Sequence, residues 1–244
     1  MDVTQDGGRS RLIQSLAKVA ASKLKKGQDT RFQNFIAHAI HFYPDQDYLN
    51  RPSEDIFWNI WGLYSFGETP FTLRADIAHS AKVRVFNPSI EIDSWSSQYT
   101  TIYINQRDMP FLVDSLRMAL NRRELNIYTL QSNLAWTLRD ADGLIEGVSA
   151  KFVEGANHEA FISIEVDMLT DRELEALERE LCLVLDDIDA VVDDFEMMRG
   201  RTQKLIQDLK DNAPQVEQLQ ESIEFLEWVN NGYFVYTGYA EFDL

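Results

Sequence analysis

A single cysteine, Cys182, stands among 244 residues, which excludes an intrachain disulfide and a cysteine-based metal site. No apolar run approaches the roughly 20 residues that span a bilayer. The N-terminus has basic residues but no continuous apolar stretch, so no secretory leader is read there. Positive charge is also scarce: 23 Lys and Arg face 40 Asp and Glu, a net charge of −17. Phosphate backbones and anionic lipids would meet a repulsive field, which makes nucleic acid and membrane poor partners. Together these absences point to a cytoplasmic protein. Missing too is a G-x-G-x-x-G turn, whose backbone amides would approach a dinucleotide pyrophosphate. No lysine lies in a glycine-rich setting suited to amino-acid dehydrogenation, and no nucleophile–base constellation is found. The chain is expected to hold no catalytic residue, no cofactor and no metal.

What is present can build a core, since 45% of residues are hydrophobic and 11% aromatic. Leu12, Leu16, Val19, Ala20 and Leu24 trace a helical stripe that Gly27 ends. Phe32, Phe35, Ile36, Ala39 and Ile40 trace a second, stopped by Pro44, and Ile56, Phe57, Ile60, Trp61 and Tyr64 a third. Charge is uneven: Lys18, Lys23, Lys25, Lys26 and Arg31 make the start basic, while Glu173 to Glu196 is acidic. These are two solvated helix faces, or the two sides of a contact between subunits.

Strand signals follow. KVRVF at 82–86 alternates, and Asn87-Pro88 breaks it. Thr101, Ile102, Tyr103 and Ile104 are β-branched or aromatic, and after Asp108 and Pro110 a helical face runs through Leu112, Leu116 and Leu120. Residues 127–139 and 160–168 repeat with period two, whereas 144–158 are ambiguous. In the second of these strands Ser163 and Glu165 are read as facing away from the apolar residues. Thr170 to Glu173 is a capping box that opens a helix to Ile188, and 191–198 reads as one more strand. The order β(99–106), α(109–123), β(127–139), β(160–168), α(170–188), β(191–198) is a ferredoxin-like βαββαβ arrangement in an α+β fold. Both helices would cover one sheet face. The N-terminal helices or another subunit would have to cover the other.

This strand, Asp-x-Pro turn and helix resemble the opening of an ACT-type domain. The expected organisation is a helical subdomain over 1–80, an ACT-like domain over 81–200, a helical connector over 201–231 and the first strand of a further domain over 232–244. That last segment, aromatic from Tyr233 to Phe242, needs a partner strand. It is expected to belong to a longer polypeptide or to pair with another subunit.

KVRVFNPS at 82–89, Trp95, INQRDMPFLVDSLRMALNR at 104–122 and EFLEWVNNGYFVYTGYAEFDL at 224–244 carry a wider likeness. Through them the chain resembles the N-terminal region of large bacterial NAD-dependent glutamate dehydrogenases. The resemblance implies a parent enzyme that converts L-glutamate, NAD and water to 2-oxoglutarate, ammonia and NADH. Its catalytic domain would lie downstream of this segment. The implied role here is regulation and oligomerisation, with partners in other copies and in the downstream domains. The alternative is a free-standing amino-acid-binding ACT regulator with no attached enzyme.

The resemblance makes the turn at Asn105, Asp108, Met109 and Phe111 the candidate effector site, where amides at a helix N-terminus would meet a ligand carboxylate. Ligand-binding ACT domains usually place glycine just after the proline, and Phe111 occupies that position here. The plainer reading is that Asp108 caps the helix and Phe111 packs. His38 and His41 are three apart on a helix but lack a third ligand nearby. The aspartates from Asp186 to Asp194 do not have calcium-loop spacing and read as a solvated acidic face. Cys182 reads as a small hydrophobe in an amphipathic helix.

Overall fold

The computed structural model describes residues 3–24, 28–40, 51–68, 81–212 and 218–242. Three helices come first: α1 (Val3–Lys23), α2 (Gln28–Ala39) and α3 (Ser53–Glu68). Next come β1 (Lys82–Phe86), the short α4 (Ile90–Asp93), β2 (Thr100–Arg107) and α5 (Leu112–Arg122). Then follow β3 (Ile127–Arg139), β4 (Ile145–Ser149), β5 (Asn157–Val166) and α6 (Asp171–Asn212). The chain ends in α7 (Leu219–Trp228) and a π-helical turn (Val229–Tyr233). It divides into two compact units, 1–185 and 186–244, with the division falling inside α6.

In the first unit five strands form one antiparallel sheet in the order β1-β2-β5-β3-β4. Register fixes which residues share a face, because side chains alternate along each strand. Tyr103, Phe161, Ala135 and Ile145 lie on one face and join a single core cluster with Leu16, Phe32, Phe35, Phe57 and Ile60 of α1–α3. On the other face Ile102, Ile104, Ile162 and Ile164 are fully buried, as are Leu116, Ala119 and Leu120 of α5 and Leu177 and Leu181 of α6. The sheet is thus the middle of three layers, with helices on both sides.

Helix α3 lies close to the sheet at two glycines. A Cβ on Gly62 would sit 2.9 Å from the Tyr103 hydroxyl, and one on Gly67 would sit 2.5 Å from Phe161 Cε1. The glutamate half of the capping box forms: Glu173 Oε2 accepts from the Thr170 N–H at 2.8 Å and from its hydroxyl at 2.6 Å, while the Glu173 N–H donates to the Thr170 carbonyl at 2.8 Å. The two bonds that its carboxylate accepts hold the Glu173 carboxyl below its ordinary range. On β1, at the sheet edge, the Val85 N–H donates to Glu178 Oε2 of α6 at 3.0 Å, which blunts a strand edge otherwise open to pairing. Residues 144–158 resolve into β4, a loop over 150–156 and the start of β5.

One expected strand is not a strand. Residues 191–198 lie inside α6, where Ile188, Val191, Phe195 and Met198 follow one another at helical spacing. The sheet position beside β2 that a final strand would fill belongs to β1. Residues 234–242 form no ladder among the described residues. In that second unit Trp228 stacks on Tyr233 at 5.5 Å and meets Phe234 edge-on at 5.1 Å, and both partners are more than half exposed.

Candidate functional site

Strand β2 hands over to α5 through Asp108, Met109, Pro110 and Phe111. The Asp108 N–H donates to the His158 carbonyl at 2.8 Å, extending the β2–β5 ladder by one residue. Helix α5 then begins at Leu112, two residues after Pro110. Its N-cap, Phe111, lies in the left-handed region (φ 69°) and makes no side-chain cap bond. The sequence suggested that Asp108 caps this helix. Instead its Oδ2 lies 3.1 Å from His158 Nδ1, and the His158 ring stacks on Trp136 at 4.6 Å.

The four residues expected at this turn do not converge. Phe111 is 45% exposed and Asp108 is partly exposed, so both stand at the surface. Met109 is buried in packing. Asn105 is fully buried on the face covered by α1–α3, where it shares a side with Tyr103. Beside the turn, Gln106 is fully buried and neither of its amide atoms has a hydrogen-bond partner. Of the His38–His41 pair, His41 lies outside the described residues, and His38 Nε2 sits 2.5 Å from the Leu134 carbonyl oxygen. No group of three or more potential metal ligands occurs among the described residues.

What the sequence did not reveal is a buried polar cluster around Arg139. Its Nε donates to Glu159 Oε1 at 2.7 Å. Nη2 donates to Glu159 Oε2 at 2.7 Å and to Asn105 Oδ1 at 3.2 Å. Nη1 donates to the carbonyls of Gly67 at 3.0 Å and Gly143 at 2.7 Å. Every N–H of the guanidinium is used, tying β3 to β2, β5, the β3–β4 turn and the C-terminal end of α3. A register shift between Leu138 and Arg139 accompanies this, as expected of an irregularity that re-aims a side chain. Glu165, also buried, is held by both nitrogens of the Arg51 guanidinium fork and by the Thr129 hydroxyl. Ser163 and Glu165 therefore face α1–α3, not water. The one signal was the run of polar residues at alternate positions of two strands whose other positions are apolar.

Lys82 joins the cluster by donating to the Gly67 carbonyl at 2.9 Å. Burial, helped by the Arg139 charge and opposed by Glu159, lowers its pKa to about 8. Between about pH 8 and 10.5 the unfolded chain holds a proton here that the native chain has released, so stability rises with pH across that window. Below it the ammonium is a cost, about 1–2 kcal/mol once partial exposure is discounted. Lys82→Met is expected to recover that amount in urea unfolding at about pH 7 and to flatten the rise towards about pH 10.

Among the described residues, none of the three strand-to-helix turns suits a dinucleotide. Pyrophosphate needs glycine for close backbone approach, and the segments 87–89, 108–111 and 167–170 contain none.

The family described as glutamate dehydrogenase, ACT1 domain, matches residues 35–181. The chain belongs to this family. The ACT1 match runs from Phe35 in α2 to Leu181 in α6, so it takes in all five strands, the Asp108 turn and the Arg139 cluster. The chain is 31% identical over 251 aligned positions to the NAD-specific glutamate dehydrogenase of Halomonas elongata, which covers 100% of this chain and 15% of that protein. It is 36% identical over 168 positions to the NAD-specific glutamate dehydrogenase of Pseudomonas aeruginosa, covering 67% of this chain and 10% of that protein. The chain thus spans a small part of the length of these relatives.

Proposed function

We propose that this chain is a regulatory and assembly segment of a cytoplasmic NAD-dependent glutamate dehydrogenase. The oxidation of L-glutamate to 2-oxoglutarate and ammonia would be performed by residues elsewhere in a longer polypeptide, which would also bind NAD. One observation carries this reading: the ACT1 match joined to whole-chain similarity with only 15% of a named dehydrogenase. Within it, the ferredoxin-like order is read with β1 in the place of the final strand. Residues 234–242 are read as the first strand of a further domain, consistent with their exposed aromatic side chains. The mechanism is conformational: a subunit contact biases the assembly state and so the activity of the parent. Mixed with L-glutamate and NAD, the chain alone is expected to form no NADH, and steady turnover above the blank would overturn the reading.

A second reading, amino-acid sensing, draws support from the uncapped α5 N-terminus and the partnerless Gln106 beside it. Phe111 weighs against it, since its side chain stands where a ligand carboxylate would approach. Its left-handed backbone suits glycine, so Phe111→Gly is a tolerable change. On the assembly reading this variant shows no altered affinity for any amino acid. Measurable tightening by calorimetry would count for sensing.

A further inference from the structure

Two cations meet one backbone oxygen where α3 ends. Lys82 Nζ donates to the Gly67 carbonyl at 2.9 Å, and Arg139 Nη1 donates to the same oxygen at 3.0 Å. Lys82 pairs with Asn105 across β1 and β2, and Asn105 Oδ1 accepts from the same guanidinium. Among the described residues, Arg139 of β3 repels the Lys82 ammonium and Glu159 of β5 attracts it. Both oxygens of Glu159 are already bonded to Arg139. Lys82 is therefore a half-buried amine crowded by a guanidinium, a setting that favours the neutral form over the ammonium.

A neutral amine is a nucleophile and an ammonium is not, and desolvation beside another cation is one way a lysine becomes reactive. The pKa of about 8 leaves about a quarter of the amine neutral at about pH 7.5, where an ordinary lysine near 10.5 leaves about one part in a thousand. A less basic nucleophile is also intrinsically weaker, as thiols show, which reduces the gain to about tenfold. The product suits the site as well. An acylated Lys82 has no charge to set against Arg139, and its amide keeps one N–H for the Gly67 carbonyl. We propose that Lys82 is a modification site, acylated directly by acyl phosphates, and that its place beside Arg139 and Gly67 selects it over the other lysines. The Lys82 nitrogen bonds to the acyl carbon, and the bond from that carbon to the bridging oxygen breaks. Phosphate leaves with the electron pair and takes up the proton that the nitrogen loses, so nothing is oxidised or reduced.

Brief exposure of the folded 244-residue chain to acetyl phosphate at about pH 7.5 tests this. Amines left over are capped with deuterated acetic anhydride in guanidinium chloride, so mass spectrometry of one digest gives the acetylated fraction at each lysine. Lys151 and Lys204, both exposed, are the references. The expected result is acetylation of Lys82 about tenfold faster than either in the native chain, and no faster than either in guanidinium chloride. A native rate at Lys82 equal to or below the references overturns the assignment. So does a preference that survives denaturation, because it would come from the neighbouring sequence and not from the folded cluster.

Discussion

Replacing Arg139 by methionine is expected to lower the unfolding free energy by about 3–5 kcal/mol, the usual result of removing one partner from a buried ion pair. The side chains of Arg139 and Glu159 are 9% and 4% exposed, so water cannot take the guanidinium's place. Without Arg139, the Glu159 carboxylate keeps the Asn105 amide at 3.0 Å, and the Gly67 carbonyl keeps Lys82. The Gly143 carbonyl loses its bond to the guanidinium. Methionine fills part of the volume but donates nothing. The double variant Arg139→Met, Glu159→Met should recover much of the loss, since replacing both members removes the stranded charge. Urea midpoints at an unchanged m-value would record both effects. A loss under about 1 kcal/mol for the single variant would mean that the cluster is solvated like a surface pair.

Phe161→Ala should cost a comparable 3–5 kcal/mol, the range for deleting a buried aromatic ring. Phe161 is fully buried in the middle of the sheet, meets Phe35 of α2 edge-on at 5.1 Å and lies under Gly67 of α3. It is therefore where two helices and the sheet come together. The same geometry predicts a coupling. In the parent sequence Gly67→Ala pushes a methyl into a ring that its neighbours hold, at a cost of about 1–3 kcal/mol. Once the ring is gone the methyl has room, and alanine's better helix propensity of about 1 kcal/mol should make the same substitution neutral or favourable. Additive effects of the two changes would show that α3 does not sit on Phe161 as described.

The sequence made the helices α1–α3, the strands β1–β3 and the capping box legible, because each is written in local periodicity or in a short motif. Residues 191–198 misled because Val191, Val192 and Phe195 are residue types favoured in strands, although with Met198 they also fall at helical spacing. The helical reading prevails when the pattern is followed from Leu181 through to Ile206. Alternation showed that Ser163 and Glu165 share a face, and the need to cover that face pointed to the N-terminal helices, but not to the side chains that would pair with Glu165 there. Arg51, the partner of Glu165, lies 114 residues away. Shorter separations, still beyond any local pattern, hid His158 behind Asp108 and Arg139 behind Glu159 and Asn105, 20 and 34 residues away. Strand parity sends Asn105 to the opposite face from Gln106, which the turn motif alone does not show. Cross-strand partners depend on register, and register is set by the whole sheet.

The central claim, that this ACT1 segment works through contact between subunits, is tested most directly by one set of melting curves. These would be recorded over a range of protein concentrations, with and without each of the twenty amino acids, NAD and 2-oxoglutarate. A bound ligand at a hundredfold excess over its dissociation constant would stabilise the fold by about 2.7 kcal/mol and move the curve visibly. The account predicts a melting temperature that climbs with protein concentration and ignores every ligand. A concentration-independent melt shifted saturably by a single amino acid would contradict it.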